Sequence, residues 1–312
     1  MDKYTNNLLT VLKKQFFHVV GDKDFQNIDD MHAFYLDKLE DNLYMPMSVS
    51  AEASYKQGSG KELDDKMKAL RSSSALTYNL FWDQIGEIIN ADNKILTNGI
   101  YSVELEKQYH TLKTSKAPAN LDAFLYCKHT EEAIAVEMKM MEWLLNKPGK
   151  LKAAYLDPKN YFDANAGLAF ASAAKALIEP TELTADAEEL KEYTSRFHHY
   201  DAFQMFKHTV ACYTACMVEE PRPIKKLTLV NCIWTLPNSD LLDEKFRERY
   251  ICDERAEVEE FKQFKTAMAP IKQLFADEGI DFNICFYTFT DFLQLFKKTP
   301  AELDYLRRYT FK

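Results

Sequence analysis

Glycine and proline are scarce in this chain, with 8 and 10 copies in 312 residues. That scarcity excludes a turn-rich β-sandwich or a loop-dominated fold, which need frequent chain breakers. No CxxC pair occurs among the six cysteines, at 127, 212, 216, 232, 252 and 285. Scattered over so long a chain, they read as thiols of a reducing compartment rather than a disulfide framework. No apolar run nears the roughly 18 residues that span a bilayer, and MDKYTNNLLTVLKKQFF lacks the basic-then-apolar order of a leader. The expectation is a cytoplasmic protein with no membrane contact. An excess of Lys and Arg is missing too, the formal charge being −9. Such a body is a poor general binder of polyanions, although whole-chain charge does not speak against a small basic cleft.

What is present builds a core. The chain is 46% hydrophobic and 13% aromatic, enough for a large globular domain. Apolar residues Leu8, Leu9, Leu12, Phe16, Phe17 and Val20 recur at helical spacing, so residues 1 to about 60 read as a helical extension. Residues 59–89 read as one long helix or two abutting ones, with Ser59 and Glu62 placed as a capping box. From Gly99 the period becomes two: Tyr101, Val103 and Leu105 face one way, Ser102, Glu104 and Glu106 the other. Residues 120–127 and 133–143 read as strands joined by the polar KHTEE, hence a hairpin. Residues 144–192 read as an insertion of helices and loops. A helix over about 196–218, a strand at 225–236, a helix over about 253–277, a strand at 281–289 and a short C-terminal helix complete the chain. The expected fold class is α/β, a mixed sheet flanked by helices. No flexible linker divides it, so residues 1–312 read as one elaborated domain, with its core at about 60–236 and a helix–strand–helix addition at about 237–312.

E-x-K occurs three times, at Glu137-Met138-Lys139, Glu189-Leu190-Lys191 and Glu260-Phe261-Lys262. The last two sit in charged, helix-like surroundings. The first interrupts the apolar strand AIAVEMKMM, where a charge costs several kcal/mol, by rough estimate, unless it is paired or bound to metal. In an antiparallel hairpin, opposed residues have a constant index sum. A turn centred between His129 and Thr130 sets Asp122 opposite Glu137 and Asn120 opposite Lys139, with Glu137 and Lys139 on one face. Two carboxylates and an ammonium then converge. Mg²⁺ favours such oxygen ligands and keeps several waters, so Asp122, Glu137 and the Met138 carbonyl can be read as its ligands and Lys139 as a fixed cation beside them. The plainer reading is a Lys–carboxylate pair that ties the hairpin together.

An acid on one strand followed by E-x-K on the next, here Asp122 and Glu137-Met138-Lys139, resembles the PD-(D/E)XK nuclease superfamily, with Leu121 in place of the usual Pro. Within it, three stretches resemble a bacterial restriction-endonuclease-like family. RSSSALTYNLF (71–81) is similar to its Ser-Ser-x-Ala helix. AVEMKMMEW is similar to its I-E-x-K-x-x-E strand, with Glu142 as the later acid. FQMFKH (203–208) is similar to its helix motif, placing Gln204, Lys207 and His208. The resemblance implies a restriction-endonuclease-like αβββαβ core and a Mg²⁺-dependent nuclease, Mn²⁺ able to substitute. DNA would be the partner, Asp122, Glu137, Lys139 and Gln204 the catalytic set, and homodimer formation stays open. It also implies a further acid, for which Glu106 is preferred to Glu104, and both to Glu62 and Glu87. The alternative is a catalytically silent nucleic-acid- or protein-binding module on the same fold.

Other patterns carry less. Gln204, His208, Cys212 and Cys216 form a stripe spaced by four, which reads as an active-site end leading into core, with a zinc site as the rival. QGSGKEL fails as a phosphate loop, having Tyr55 and Glu62 where Gly and Ser/Thr are required. Lys147, Lys150, Lys152 and Lys159 read either as a phosphate-binding rim or as a solvated loop. Trp143 and Tyr155 read as base-stacking platforms or as core.

Overall fold

The computed structural model describes residues 1–26, 29, 32–57, 62–92, 94–115, 117–145, 147–183 and 190–311. Ser59, and Glu189 of the second E-x-K, lie outside them. The N-terminal region is helical only in part. In α1 (Lys3–Val20) the Asp2 side chain accepts from the Tyr4 and Thr5 N–H groups, and Leu8, Leu9, Leu12 and Phe16 are buried. Short 3₁₀ turns and α2 (Val49–Gln57) follow.

The one long helix or two abutting helices expected over 59–89 are corrected by the structure. A 3₁₀ turn at Lys66–Lys68 precedes α3 (Ser73–Leu80), which begins where the Ser72 hydroxyl accepts from Ala75 N–H. Gln84, at φ +56°, then turns the chain into β1 (Ile85–Ile88). The remaining elements are β2 (Gly99–Tyr109), β3 (Ala119–Cys127), β4 (Glu132–Lys139), β5 (Lys150–Lys152), α4 (Ala164–Ala176), β6 (Glu192–Thr194), α5 (Ala202–Thr214), β7 (Lys226–Ile233), α6 (Glu244–Ala267), α7 (Ala269–Asp277), β8 (Asp281–Thr288), α8 (Phe289–Leu293) and α9 (Pro300–Thr310). The single helix expected at 253–277 is two, because Pro270 sits at the start of α7 and forces a break.

Among the described residues six strands form one mixed sheet in the order β1-β2-β3-β4-β7-β8, antiparallel as far as β4 and parallel from β4 to β8. β5 and β6 pair separately, inside the expected insertion. One face of the sheet buries Val103, Ala123, Leu125, Ile134, Val136 and Met138 against α1, α3 and the C-terminal helices. The other buries Phe124, Ala133, Ala135 and Leu229 beneath α4, α5 and α7. β4 lies between these layers and between two strands, which is why it reads as a nearly continuous apolar run. No helix among the described residues is long and apolar enough to cross a membrane.

Candidate functional site

The hairpin has the expected register. Ala123 pairs with Val136 and Cys127 with Glu132, the same index sum that sets Asp122 against Glu137. The regular ladder stops at Ala123–Val136, and Asp122 takes over with its side chain: Oδ2 accepts from the Met138 N–H at 2.7 Å. A residue's N–H and C=O leave an extended strand on the same side. The Met138 carbonyl is therefore directed to the same opened seam as Asp122, while Lys139 O points the other way, accepting from Trp234 N–H at 2.7 Å.

Small residues explain how α5 reaches Glu137. Ala133 and Ala135 precede it on the same face and are fully buried, which lets α5 pack close. Gln204 Nε2 donates to Glu137 Oε1 at 2.7 Å, and His208 Nε2 donates to Oε2 at 2.9 Å. Lys139 Nζ lies 2.8 Å from Glu137 Oε1 and donates to Gln204 Oε1 at 2.5 Å. Gln204 thus ties the carboxylate to the ammonium. Its own helix is held by Asp201, which accepts from Gln204 N–H, and Glu260 accepts from the N–H groups of His198, His199 and Tyr200 just before it. That pinned approach is why the helix expected from about 196 starts at Ala202.

These side chains open onto one cleft of ≈350 Å³, lined by carboxylates Glu62, Glu106, Asp122, Glu137 and Glu142 and by cations Lys66, Arg71 and Lys139, with Asn120, Gln204 and Ser72 to Ser74 between them. The electrostatics divide it. Burial would raise the Glu137 carboxyl, but Lys139 and His208 outweigh it and hold it at about 2. Burial would likewise lower Lys139, yet Glu137, Asp201 and Glu142 keep it above the ordinary lysine value. Asp122 has weaker compensation, from the Met138 N–H and the more distant Lys139 charge. Burial, then the Glu137 and Glu106 charges, push its carboxyl well above the usual range. Burial, Glu62 and Glu137 push Glu106 up to about 8. Carboxylates crowded until they favour the proton lack a cation.

Of the residues singled out in the sequence, Asp122, Glu137, Lys139, Gln204, Glu106, Glu62 and Glu142 share this cleft. Glu142 accepts from the N–H groups of Met140 and Met141, capping the turn after β4. His208 supports Glu137 from behind, and Lys207 lines the neighbouring hollow. Glu104 is elsewhere, paired with Lys107 and Arg222, and Glu87 pairs with Lys297. The difference between Glu104 and Glu106 is a backbone one. Glu106 adopts φ +50°, so the alternation slips, and Lys107 and Tyr109 fall on the side of Glu104. Lys150 and Lys152 line hollows beside the cleft, whereas Lys147 lies behind it and Lys159 at neither place. Trp143 is core, packed edge-on against Tyr250, and Tyr155 is buried with its hydroxyl on Thr111. Cys212 is a buried thiol, pushed up by burial, which weighs against a zinc thiolate.

Sequence reasoning missed Tyr35, Lys66 and Arg71, which the fold brings to the cleft from the N-terminal side. It also missed Glu257 and Asn231, which line a pocket of about 50 Å³ behind Lys139. Burial and the nearby Glu260 push Glu257 up to about 8. Among the described residues no three His, Cys, Asp or Glu side chains form a ready-made metal cluster. Mg²⁺ is typically held by one or two carboxylates with waters and substrate phosphates rather than by such a cage, and Asp122, the Met138 carbonyl and the crowded Glu106 supply that donor chemistry. Set against family models, curated proteins and solved structures, the chain matches none of them.

Proposed function

We propose that the chain is a divalent-metal-dependent nuclease that hydrolyses phosphodiester bonds of DNA. The observation that carries this reading is the meeting of Asp122, Glu137, Lys139 and Gln204 in one cleft whose unpaired acids are crowded into binding protons. With β1 and the insertion of β5, α4 and β6 set aside, the order α3, β2, β3, β4, α5, β7 supports it, being the αβββαβ order that the resemblance to restriction-endonuclease-like proteins implies. Asp122, Glu137 and the Met138 carbonyl would hold Mg²⁺ or Mn²⁺, with Glu106 as a further acid. When bound, such an ion neutralises a phosphate and lowers the pKa of a water it holds.

The chain's own groups have separable tasks. A lysine ammonium has three donors; two of those on Lys139 serve Glu137 and Gln204, which leaves one for a phosphate oxygen. Held above the ordinary lysine value, Lys139 keeps its proton and acts as a fixed positive charge for the negative charge that develops on phosphorus. Gln204 fixes the Glu137–Lys139 geometry, and His208 keeps Glu137 from turning into the core.

One observation favours a second reading, a catalytically silent nucleic-acid- or protein-binding module: both Glu137 oxygens already have protein donors. Incubation of plasmid and single-stranded DNA with Mg²⁺ or Mn²⁺ separates the two. The nuclease cuts, stops in EDTA, and loses about 10²-fold or more of its rate in Asp122→Ala. Binding without cutting selects the silent module, and cutting that survives Asp122→Ala rules out this site.

A further inference from the structure

Two more hollows continue the acidic cleft. The first, ≈350 Å³, shares Asn120 and Gln204 with it and is lined by Lys150 and Lys207. The second, ≈360 Å³, shares Lys150, Lys207, Pro118 and Ala119 with the first and adds Lys152, Thr114 and Ser115. The three hollows are therefore neighbours that share wall residues, with carboxylates at one end of the series and lysines at the other. Local structure places the lysines on purpose-built supports. β5 alternates exposed, buried, exposed, so Lys150 and Lys152 share its outer face while Leu151 anchors the strand. Lys207 is on α5, directly before the histidine that holds Glu137. Among the described residues none of these three lysines forms an ion pair, and neither does Arg71 on the wall of the acidic cleft, although the molecule carries excess acid.

Lys150 donates to the Thr194 hydroxyl, but cations left without a carboxylate partner beside a pit of crowded acids are an arrangement for a ligand that carries repeated negative charge and meets a metal at one point. We propose that the hollows of Lys207, Lys150 and Lys152, with Arg71 on the wall of the acidic cleft, form a track for the sugar-phosphate backbone of one nucleic-acid strand, leading it past Asp122 and Glu137. This deepens the nuclease reading and rests on it. It also reconciles binding with a net charge of −9, since the positive potential is confined to the track. Glu192 and Asp201 border the track and temper its charge.

Each phosphate contact contributes about 0.7 to the slope of log K against log salt for a single strand. Fluorescence anisotropy of a labelled single-stranded DNA, with Ca²⁺ in place of Mg²⁺, reads that slope directly. The Lys150→Ala/Lys152→Ala/Lys207→Ala variant is expected to lose about 2 from its magnitude, and Lys150→Ala/Lys152→Ala, confined to exposed positions, about 1.4. A control, Lys262→Ala/Lys265→Ala/Lys272→Ala, removes the same charge from a hollow beside α7 and β8 and keeps the wild-type slope. Wild-type slope and affinity in both track variants, or an equal loss in the control, overturns the track. If Mg²⁺-dependent cutting by the wild type persists beside that outcome, the nuclease reading stands without it. A wild type that neither binds nor cuts removes both.

Discussion

Lys139→Ala is expected to lower Mg²⁺-dependent DNA hydrolysis by about 10² to 10³-fold, the range for losing one preorganised donor at a charge-developing centre. The same substitution destabilises the protein. Glu137 is 3% exposed, and removing one partner of a buried pair leaves an uncompensated charge at a cost of about 3–5 kcal/mol. Gln204 and His208 remain bonded to Glu137, which places the expectation near the lower end, about 3 kcal/mol. Urea denaturation at neutral pH measures this loss, and single-turnover cleavage measures the other. Lys139→Arg separates them, because it restores a cation without the point-charge geometry. Stability recovers in part and the rate does not. A Lys139→Ala variant that cuts at the wild-type rate refutes the role proposed for this ammonium.

The second large effect is on pH. In EDTA, stability is expected to fall as pH rises from about 5 to 8. The folded state holds a proton on Glu106 up to about 8, whereas an unfolded glutamate releases it near 4.3. Between those values the native state binds more protons, so its advantage is complete below the lower value and is lost as pH climbs through the upper one. Asp122 shifts in the same direction, and so does Glu257, at about 8. Glu137 has the opposite sign: held at about 2, it stabilises above the unfolded value and loses that contribution only as pH falls toward 2. Allowing for solvent screening, Glu106 alone is worth about 2 kcal/mol over this window. A divalent cation replaces the protons and restores about 2.7 kcal/mol at a hundred times its dissociation constant, so the thermal shift on adding Mn²⁺ grows with pH. Asp122→Asn and Glu106→Gln flatten the EDTA profile and abolish the cation's effect. Glu257→Gln flattens part of the profile and leaves the cation's effect intact, since Glu257 lines the small pocket behind Lys139 rather than the cleft. A flat EDTA profile, or a cation shift that survives Asp122→Asn, contradicts this electrostatic account.

What could be read from the sequence follows from local rules. The hairpin was legible because a charge pair in an apolar strand demands a partner and the index sum names it. β2 was legible from its period-two alternation, and β7 and β8 as short, largely apolar runs. β1 was not: FWDQIGEII keeps apolar residues at helical spacing, although α3 ends at Leu80 and the positive φ at Gln84 then redirects the chain. The same kind of backbone event separated Glu106 from Glu104, which period-two alternation treats alike. One signal was available. Lys107 is the sole charge in the otherwise apolar series Tyr101, Val103, Leu105, Tyr109, and it marks where the phase slips. Arg71, Lys66 and Tyr35 gave no signal, because their place in the cleft depends on how the N-terminal segments pack on α3, a long-range contact with no local pattern. The proposed basic track was legible only in part, since Lys150 and Lys152 stood in the candidate phosphate-binding rim while Lys207 was not joined to them. Whole-chain charge averages it away, and Lys207 joins Lys150 and Lys152 only through the packing of α5 against the insertion.

The most direct measurement is a titration of the metal-free protein with Mn²⁺ at neutral pH, followed by electron paramagnetic resonance of the unbound ion. One ion bound by the wild type, and lost in both Asp122→Asn and Glu137→Gln, is the result expected. No binding by the wild type, or binding unchanged in the two variants, contradicts a metal centre at these strands and the hydrolysis assigned to it.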